Sequence, residues 1–531
     1  MTDDLASFAN RFDYVVIGSG FGGSVSACRL AEKGYRVLVV ERGRRFQAGD
    51  FSRGTSRPGR WLWIPQLGMR GIMKLTFLRH VTAMHGVGVG GGSLVYGATL
   101  PTPKDRFFKS GTWAGLRDWK AALGSHYKTA RTMLGAVETP RLTGADTLLR
   151  KVSASMGRED SFQPTDVGIY FAPDGQAGKP VADPYFDGKG PPRRGCIECG
   201  DCMTGCRHNA KNSLDKNYLF LAERNGVRVV ADTEAISVRP AGLHDGSQGY
   251  HVELKPGGRC RRTVFTGGVV FAGGVLGTVP LLLKLRECGA LPRLSPRVGQ
   301  GVRTNNESLT AVTALGPSPK FNDGVAIGSI FHPDAHSHVE PIRLGAGSGL
   351  WRLLVIPMVG GRRFLARLRN LARSVLLEPL DTFRAWFARD FSERTVCLLF
   401  MQHLNSSITL ARGRLGGLKS RIEPGEAPPS ADIALSDEVA RHAERIIGGK
   451  AMRPVPDSLF GTPTTAHILG GAVMGADADV GVIDWQNRVF NYQNLYVCDG
   501  SAISANPGVN PSLSIAALTE HAMSMVPAAD A

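Results

Sequence analysis

Residues 14–17 form a short apolar run that breaks off into Gly18, Ser19, Gly20, Phe21, Gly22 and Gly23; a helix-like segment follows, then a second run, residues 37–41, that ends in Glu41. Strand, glycine turn, helix and strand in this order predict a dinucleotide-binding unit. Towards the other end the pattern predicts an apolar strand over residues 495–497 and a helix that starts near Ser512, behind the proline-marked turn 506–511. Residues 351–377 are amphipathic. On a helical projection Phe364, Leu365, Leu368, Leu371, Ala372, Val375 and Leu376 share one side, and most of Arg362, Arg363, Arg367, Arg369 and Arg373 share the other. Such a segment either packs its apolar side on its own core or lies on a membrane surface.

In the first unit Gly18 permits the tight turn, Gly20 lets backbone approach a pyrophosphate, and Gly23 lets the helix pack closely on the strand. The helix N-terminus offers free N–H groups to phosphate, and Glu41 is placed to accept from a ribose hydroxyl, where an NADP site prefers a cation.

With 531 residues, 43% hydrophobic and 21% charged, the chain has the composition of a soluble protein of two domains or one elaborate one. No apolar run approaches bilayer length, and Asp3 and Asp4 stand where a secretory signal carries positive charge, so a cytoplasmic location is expected. The formal charge of +17 suits a nucleic acid or an anionic membrane, or reflects an arginine-rich background. Gly-, Pro- and Asp-rich stretches near 174–192, 316–323 and 423–430 mark candidate seams.

Four of nine cysteines, Cys196, Cys199, Cys202 and Cys206, sit in GCIECGDCMTGCRHNAK with glycines between them. Their C-x2-C-x2-C-x3-C spacing is that of ferredoxin cluster runs, and predicts an iron-sulfur cluster of four or three irons. Zinc fits less well, because its sites pair two short steps across a longer gap. Disulfides or free thiols complete the alternatives. Arg207 replaces the usual proline after the fourth cysteine, which leaves open whether Cys206 is a ligand.

Residues 85–97 read HGVGVGGGSLVYG, too glycine-dense for an ordinary strand or helix and suited to close contact with a flat or phosphorylated ligand. Further on stand Ala466, His467 and Ile468, then Asp499, Gly500 and Ser501, then Gly508, Val509, Asn510, Pro511 and Ser512. In these four separated motifs, taken in order, the chain resembles the glucose-methanol-choline oxidoreductase family, and within it the cholesterol oxidase-like branch with noncovalent FAD.

The resemblance implies a mixed α/β fold: a Rossmann-like FAD-binding domain plus a substrate domain with an antiparallel sheet and helices. The expected FAD domain is discontinuous, residues 1–110, 207–312 and 460–531; the substrate domain takes 111–206 and 313–459, with the cysteine loop 195–207 at the seam. By the same resemblance Gly18, Gly20, Phe21, Gly22, Gly23 and Glu41 hold adenosine and pyrophosphate, and Gly90, Gly91, Gly92 and Ser93 lie along the flavin. Asp499, Gly500, Asn510, Pro511 and Ser512 take the ribityl and pyrimidine part. His467 and Asn510 match the pair above the flavin, and Glu340 is similar in placement to a glutamate of the branch.

Alcohol oxidation needs a proton acceptor and a group that orients the oxygen, roles suited to His467 and Asn510. Glu340 can move a double bond next to the new ketone. The expected substrate is a bulky lipophilic alcohol, foremost a 3β-hydroxysteroid, with a terpenoid or long-chain alcohol as the alternative. Electrons are expected to leave through the cluster to an external acceptor, or to oxygen. A zinc-bearing nucleic-acid binder leaves the glycine fingerprint unexplained, so no nucleic acid partner is expected.

Overall fold

The computed structural model describes residues 11–257, 260–413 and 416–529; Asp3 and Asp4 lie outside them. Strand Arg11–Ile17 is buried along its apolar half, so its side chains read as an unbroken run rather than an alternation. It pairs in parallel with Val37–Val40 on one side and Arg262–Phe271 on the other, with Arg228–Val230 beyond Val37–Val40. The ten-residue strand Arg262–Phe271 has two neighbours along its far edge. Its first half pairs antiparallel with Tyr250–Pro256, which leads on to Thr233–Pro240, and its second half pairs in parallel with Leu495–Val497.

That last pairing brings the two ends of the chain together. Helix Phe21–Glu32 then meets helix Ser512–Ser524, where Arg29 clasps Glu520 at 2.7 Å. Glycine is what lets the first helix sit so low. A Cβ on Gly22 would stand 1.6 Å from the Cys498 carbonyl oxygen, and one on Gly23 2.1 Å from that of Gly18.

The second sheet is antiparallel, in the order Ser337–Arg343, Thr395–Gln402, Ser308–Ala314, Gly449–Pro454, Val355–Pro357. Successive side chains point to opposite faces. Val396, Leu398 and Phe400 therefore meet helices Gly144–Ser155 and Ala434–Ile447 in one core, while Cys397, Leu399 and Met401 join Ala311, Ile342 and Met452 on the other face.

Two segments cross the expected domain limits. Strand Ser308–Ala314 lies in the middle of the antiparallel sheet, so that sheet begins before the seam expected at 312/313. Helix Trp119–Met133, expected in the substrate domain, packs on Ser512–Ser524, with Tyr127 Oη 2.7 Å from Ser514 Oγ and Trp119 and Leu123 in the core of the parallel sheet. An amphipathic pattern reveals a buried side, not the sheet it covers.

The amphipathic helix spans Phe364–Leu377, and the expected division of its faces is corrected. Arg367, one of the arginines of the segment, most of which were expected opposite the apolar side, is its buried residue: it pairs with Asp432 and donates to the carbonyls of Asp457 (2.9 Å) and Ser458 (3.2 Å). The leucines face outward instead, Leu365 at 75% and Leu376 at 78% exposure. Three charge-assisted bonds to fixed acceptors hold this helix, in place of an apolar seam. Among the described residues no helix is long and apolar enough to cross a membrane.

Candidate active site

A cavity of about 460 Å³ runs along the first glycine turn, lined by Gly18, Gly20, Glu41, Gly91, Asp499 and Gly500 among others, with Phe21, Gly22 and Gly92. A Cβ on Gly20 would meet nothing within 4 Å, so this backbone is open to a ligand where the sequence predicts a pyrophosphate. Glu41 accepts from Ser19 N (3.2 Å), Ser19 Oγ (2.7 Å) and Gly43 N (2.9 Å); burial pushes its pKa up against these bonds. Asp499 accepts from Gly274 N (2.8 Å), Thr278 Oγ1 (2.5 Å) and Ser501 N (2.8 Å), and burial raises its pKa as well. Both carboxylates are thus fixed in direction by the chain's own donors.

Other expected residues stand behind this wall. Gly23 packs on Gly18, and Ser93 Oγ donates to Gly90 O (2.7 Å) while accepting from Leu214 N (3.0 Å), which holds the second glycine turn in shape. Pro511 and Ser512 begin the C-terminal helix, whose first turn sends Ile515 to the cavity. His85, which opens the glycine-dense stretch, and Arg42, which was not expected, also line it; burial, with Arg42 and Lys74 nearby, pushes His85 down to about 3, so it is neutral.

A second cavity, about 710 Å³, lies against the open face of the antiparallel sheet. Its wall is apolar, with Met84, Leu309, Ile342, Leu399 and Phe391, and Arg79 and Glu307 are its charged residues. Ala466 lines both cavities. The residue that follows it is His467.

His467 is held by an unforeseen partner. Its Nδ1 pairs with Glu307 Oε1, the Ala466 amide donates to Glu307 Oε2 at 2.8 Å, and the His467 amide donates to Thr465 Oγ1 at 2.9 Å. Burial disfavours the charged ring, but Glu307 and, further off, Glu340 outweigh it and hold the pKa above the usual histidine value. Glu307 precedes strand Ser308–Ala314, and no spacing in the sequence ties it to His467, 160 positions away.

Glu340 is fully buried in strand Ser337–Arg343, on the same face as Ile342 of the large cavity. Its Oε1 meets His338 Nε2 at 2.7 Å, and its Oε2 accepts from Asn510 Nδ2 at 3.2 Å. Asn510 Oδ1 and His338 Nδ1 are buried with no partner among the described residues. The structure therefore joins Asn510 to Glu340 by a direct bond and sets His467 within electrostatic reach of Glu340.

The four cysteines line one small cavity of their own, next to Lys211 and Asp201. All are free, and burial pushes the thiols of Cys196, Cys199 and Cys202 up. Among the described residues no group of three or more His, Cys, Asp or Glu is placed to hold a metal ion.

Comparison with known proteins matches residues 425–519 to GMC oxidoreductases and residues 16–84 to the NAD(P)-binding Rossmann-like domain. A cholesterol oxidase of Mycobacterium tuberculosis is 45% identical over 97% of this chain and 91% of its own length. One of Acinetobacter baumannii is 41% identical over 97% and 94%. The chain belongs to the GMC oxidoreductase family. It is an FAD-dependent enzyme of that family, and the open glycine backbone along the first cavity fits such a dinucleotide. The long-chain-alcohol oxidase FAO4B of Arabidopsis thaliana is more distant, 23% identical over 95% of this chain and 66% of its own. Among solved structures, a formate oxidase superposes with a TM-score of 0.61 at 14% identity, covering 97% of this chain and 98% of the other, a likeness of fold alone.

Proposed function

We propose that this enzyme oxidises the secondary hydroxyl of a bulky lipophilic alcohol, foremost a 3β-hydroxysteroid, to its ketone. The observation that carries the reading is the meeting of an apolar cavity and a dinucleotide cleft at Ala466, beside His467. Bound FAD supplies a two-electron acceptor for the carbinol hydride. With Nδ1 engaged by Glu307, the His467 ring keeps Nε2 to take the hydroxyl proton, and Glu307 both orients the ring and stabilises it once charged. Because Glu307 raises the pKa of His467, the base form gains as pH rises. The apolar wall excludes water and selects a substrate that is itself apolar apart from one hydroxyl. The cholesterol oxidases among the relatives support the sterol as substrate.

Glu340 is the base for double-bond migration: it takes a proton from the carbon beside the new ketone and returns it further along the conjugated system. Its bonds from His338 and Asn510 hold the carboxylate on the cavity side of the sheet. Reducing equivalents then leave to oxygen or to an external one-electron acceptor.

The substrate enters from a membrane surface with which the enzyme associates peripherally. Phe77, Leu354 and Phe460 line the large cavity and are also exposed, and Phe460 stacks on Phe364 of the outward-facing helix at 5.8 Å. Leu365, Leu376, Leu380, Phe383 and Phe387 continue this exposed apolar surface, with arginines such as Arg362, Arg363 and Arg373 beside it. Anaerobic mixing of the flavin-loaded enzyme with steroid, terpenoid and long-chain alcohols tests the substrate reading. Bleaching of the flavin fastest with 3β-hydroxysteroids supports it, and bleaching only by long-chain alcohols overturns it.

A further inference from the structure

The alcohol chemistry makes no use of the cavity that Cys196, Cys199, Cys202 and Cys206 line together with Ile169 and Ala210. Three of the four also pack on an apolar cluster that includes Ala98, Val167 and Val325, and all four are half-buried. The loop winds through left-handed backbone at Glu198, Gly200, Gly205 and Asn209, a conformation that costs energy at a residue such as Glu198. The winding turns amides towards sulfur. Glu198 N donates to Cys196 Sγ and Ala210 N to Cys206 Sγ, both at 3.3 Å, while the amide of Asp201 faces Cys199 and that of Ala326 faces Cys202. Backbone donors such as those to Cys196 and Cys206 serve thiolates better than thiols.

The charge around the site points the same way. Lys211 and Arg193 are buried; their hydrogen bonds go to carbonyls and an amide, and Asp215 acts on both through space. Lys211 Nζ meets the carbonyls of Leu94 (2.9 Å), Tyr96 (3.4 Å) and Cys202 (2.6 Å); Arg193 meets those of Asn209 and Ala210 and the Asn212 side chain. Lys211 and Arg193, with Asp215 and Asp201 as the carboxylates nearby, favour negative charge on the sulfurs beside them. A single zinc ion suits two short steps across a longer gap, whereas this run is one unbroken C-x2-C-x2-C-x3-C. A polynuclear core holds its thiolates further apart, and it suits the short spacing of this run.

We propose that the loop binds an iron-sulfur cluster through Cys196, Cys199, Cys202 and Cys206, and that this centre is an outlet for electrons from alcohol oxidation. The second half rests on the flavin-dependent reading above; the first does not. Lys211 bridges Leu94 of the second glycine turn to Cys202, and Met203, the next residue, lines the substrate cavity, so the sulfur site adjoins both halves of the active site. Oxidation of one alcohol to a ketone releases two electrons and two protons. Two molecules of a one-electron acceptor, such as ferricenium or a ferredoxin-like protein, take the electrons, and solvent takes the protons.

The test uses full-length protein made with added iron and purified without oxygen, assayed for flavin, iron, zinc and acid-labile sulfide, with electron paramagnetic resonance before and after dithionite. The expected result is about three to four irons with matching sulfide per flavin, and a cluster signal in one redox state. Flavin-loaded protein that carries zinc, or no iron above background, overturns the binding proposal. In Cys199→Ser and, separately, Cys202→Ser, iron and sulfide should fall at least several-fold while flavin content and its bleaching by the alcohol persist. Anaerobic ferricenium reduction should then fall about ten-fold or more; unchanged reduction refutes the outlet. If both variants lose their flavin, the metal and resonance measurements on the parent protein decide the matter. Failure of any alcohol to bleach the flavin would sink the functional reading and leave the metal count standing.

Discussion

Replacing Glu307 by Gln tests the claim that a buried carboxylate sets the working pH of His467. The exchange keeps shape and removes one negative charge from contact with Nδ1. Two unit charges about 4 Å apart at an effective dielectric of about 20 attract by about 4 kcal/mol, which corresponds to about 3 pH units as an upper bound. The amide still bonds to the ring, and opposite charges at contact shift pKa values by about 1 to 3 in general. Without the carboxylate the burial that disfavours the charged ring is opposed only by the more distant Glu340. The acid limb of kcat/KM for a 3β-hydroxysteroid should therefore move down by about 1 to 3 pH units, with kcat on the plateau reduced because the imidazolium loses its support.

Stability carries the same sign. A histidine whose folded pKa is raised contributes stability that is fully present below its unfolded pKa and is lost as pH rises through the folded one. The gap in Tm between the parent and Glu307→Gln should accordingly be widest at acid pH and narrow as pH rises. Flavin absorbance checks that the variant is folded. An acid limb that stays in place, in a flavin-loaded variant, refutes the assignment of His467 as the base governed by Glu307.

Further outcomes follow from the other contacts. His467→Gln should keep its flavin yet lower turnover about 10²- to 10⁴-fold, read as anaerobic flavin bleaching. Glu340→Gln should yield the unconjugated ketone at near-parental oxidation rate, distinguished from the conjugated product by its ultraviolet absorbance. Gly22→Ala drives a Cβ into the Cys498 carbonyl at 1.6 Å, so the helix must lift off the strand; a loss of about 1–3 kcal/mol or more and of flavin content is expected, measured by Tm and visible absorbance. Leu365→Glu should leave Tm within about 1 °C, its effect on stability being within about 0.5 kcal/mol, and weaken binding to anionic vesicles, whereas Arg367→Ala should cost about 1–3 kcal/mol by stranding its acceptors.

The first βαβ unit is written in the residues themselves. Gly18, Gly20, Gly22 and Gly23 satisfy local demands of turn, approach and helix packing, and such demands are written in consecutive residues. His467, Asn510 and Glu340 were named through resemblance, as was the pairing of early and late segments around one cleft. Tertiary structure alone decided what lies between those motifs. Glu307 is tied to His467 across 160 positions because strand order in the antiparallel sheet, which no residue spacing encodes, sets the start of one strand beside the Thr464–Thr465 edge. Arg367 shows the limit from the other side: helical periodicity divides faces by polarity, but which face turns inward depends on what the neighbouring elements offer, here Asp432 and two carbonyls in place of an apolar seam. Local chemistry travels with the sequence, and long-range pairing belongs to the folded chain.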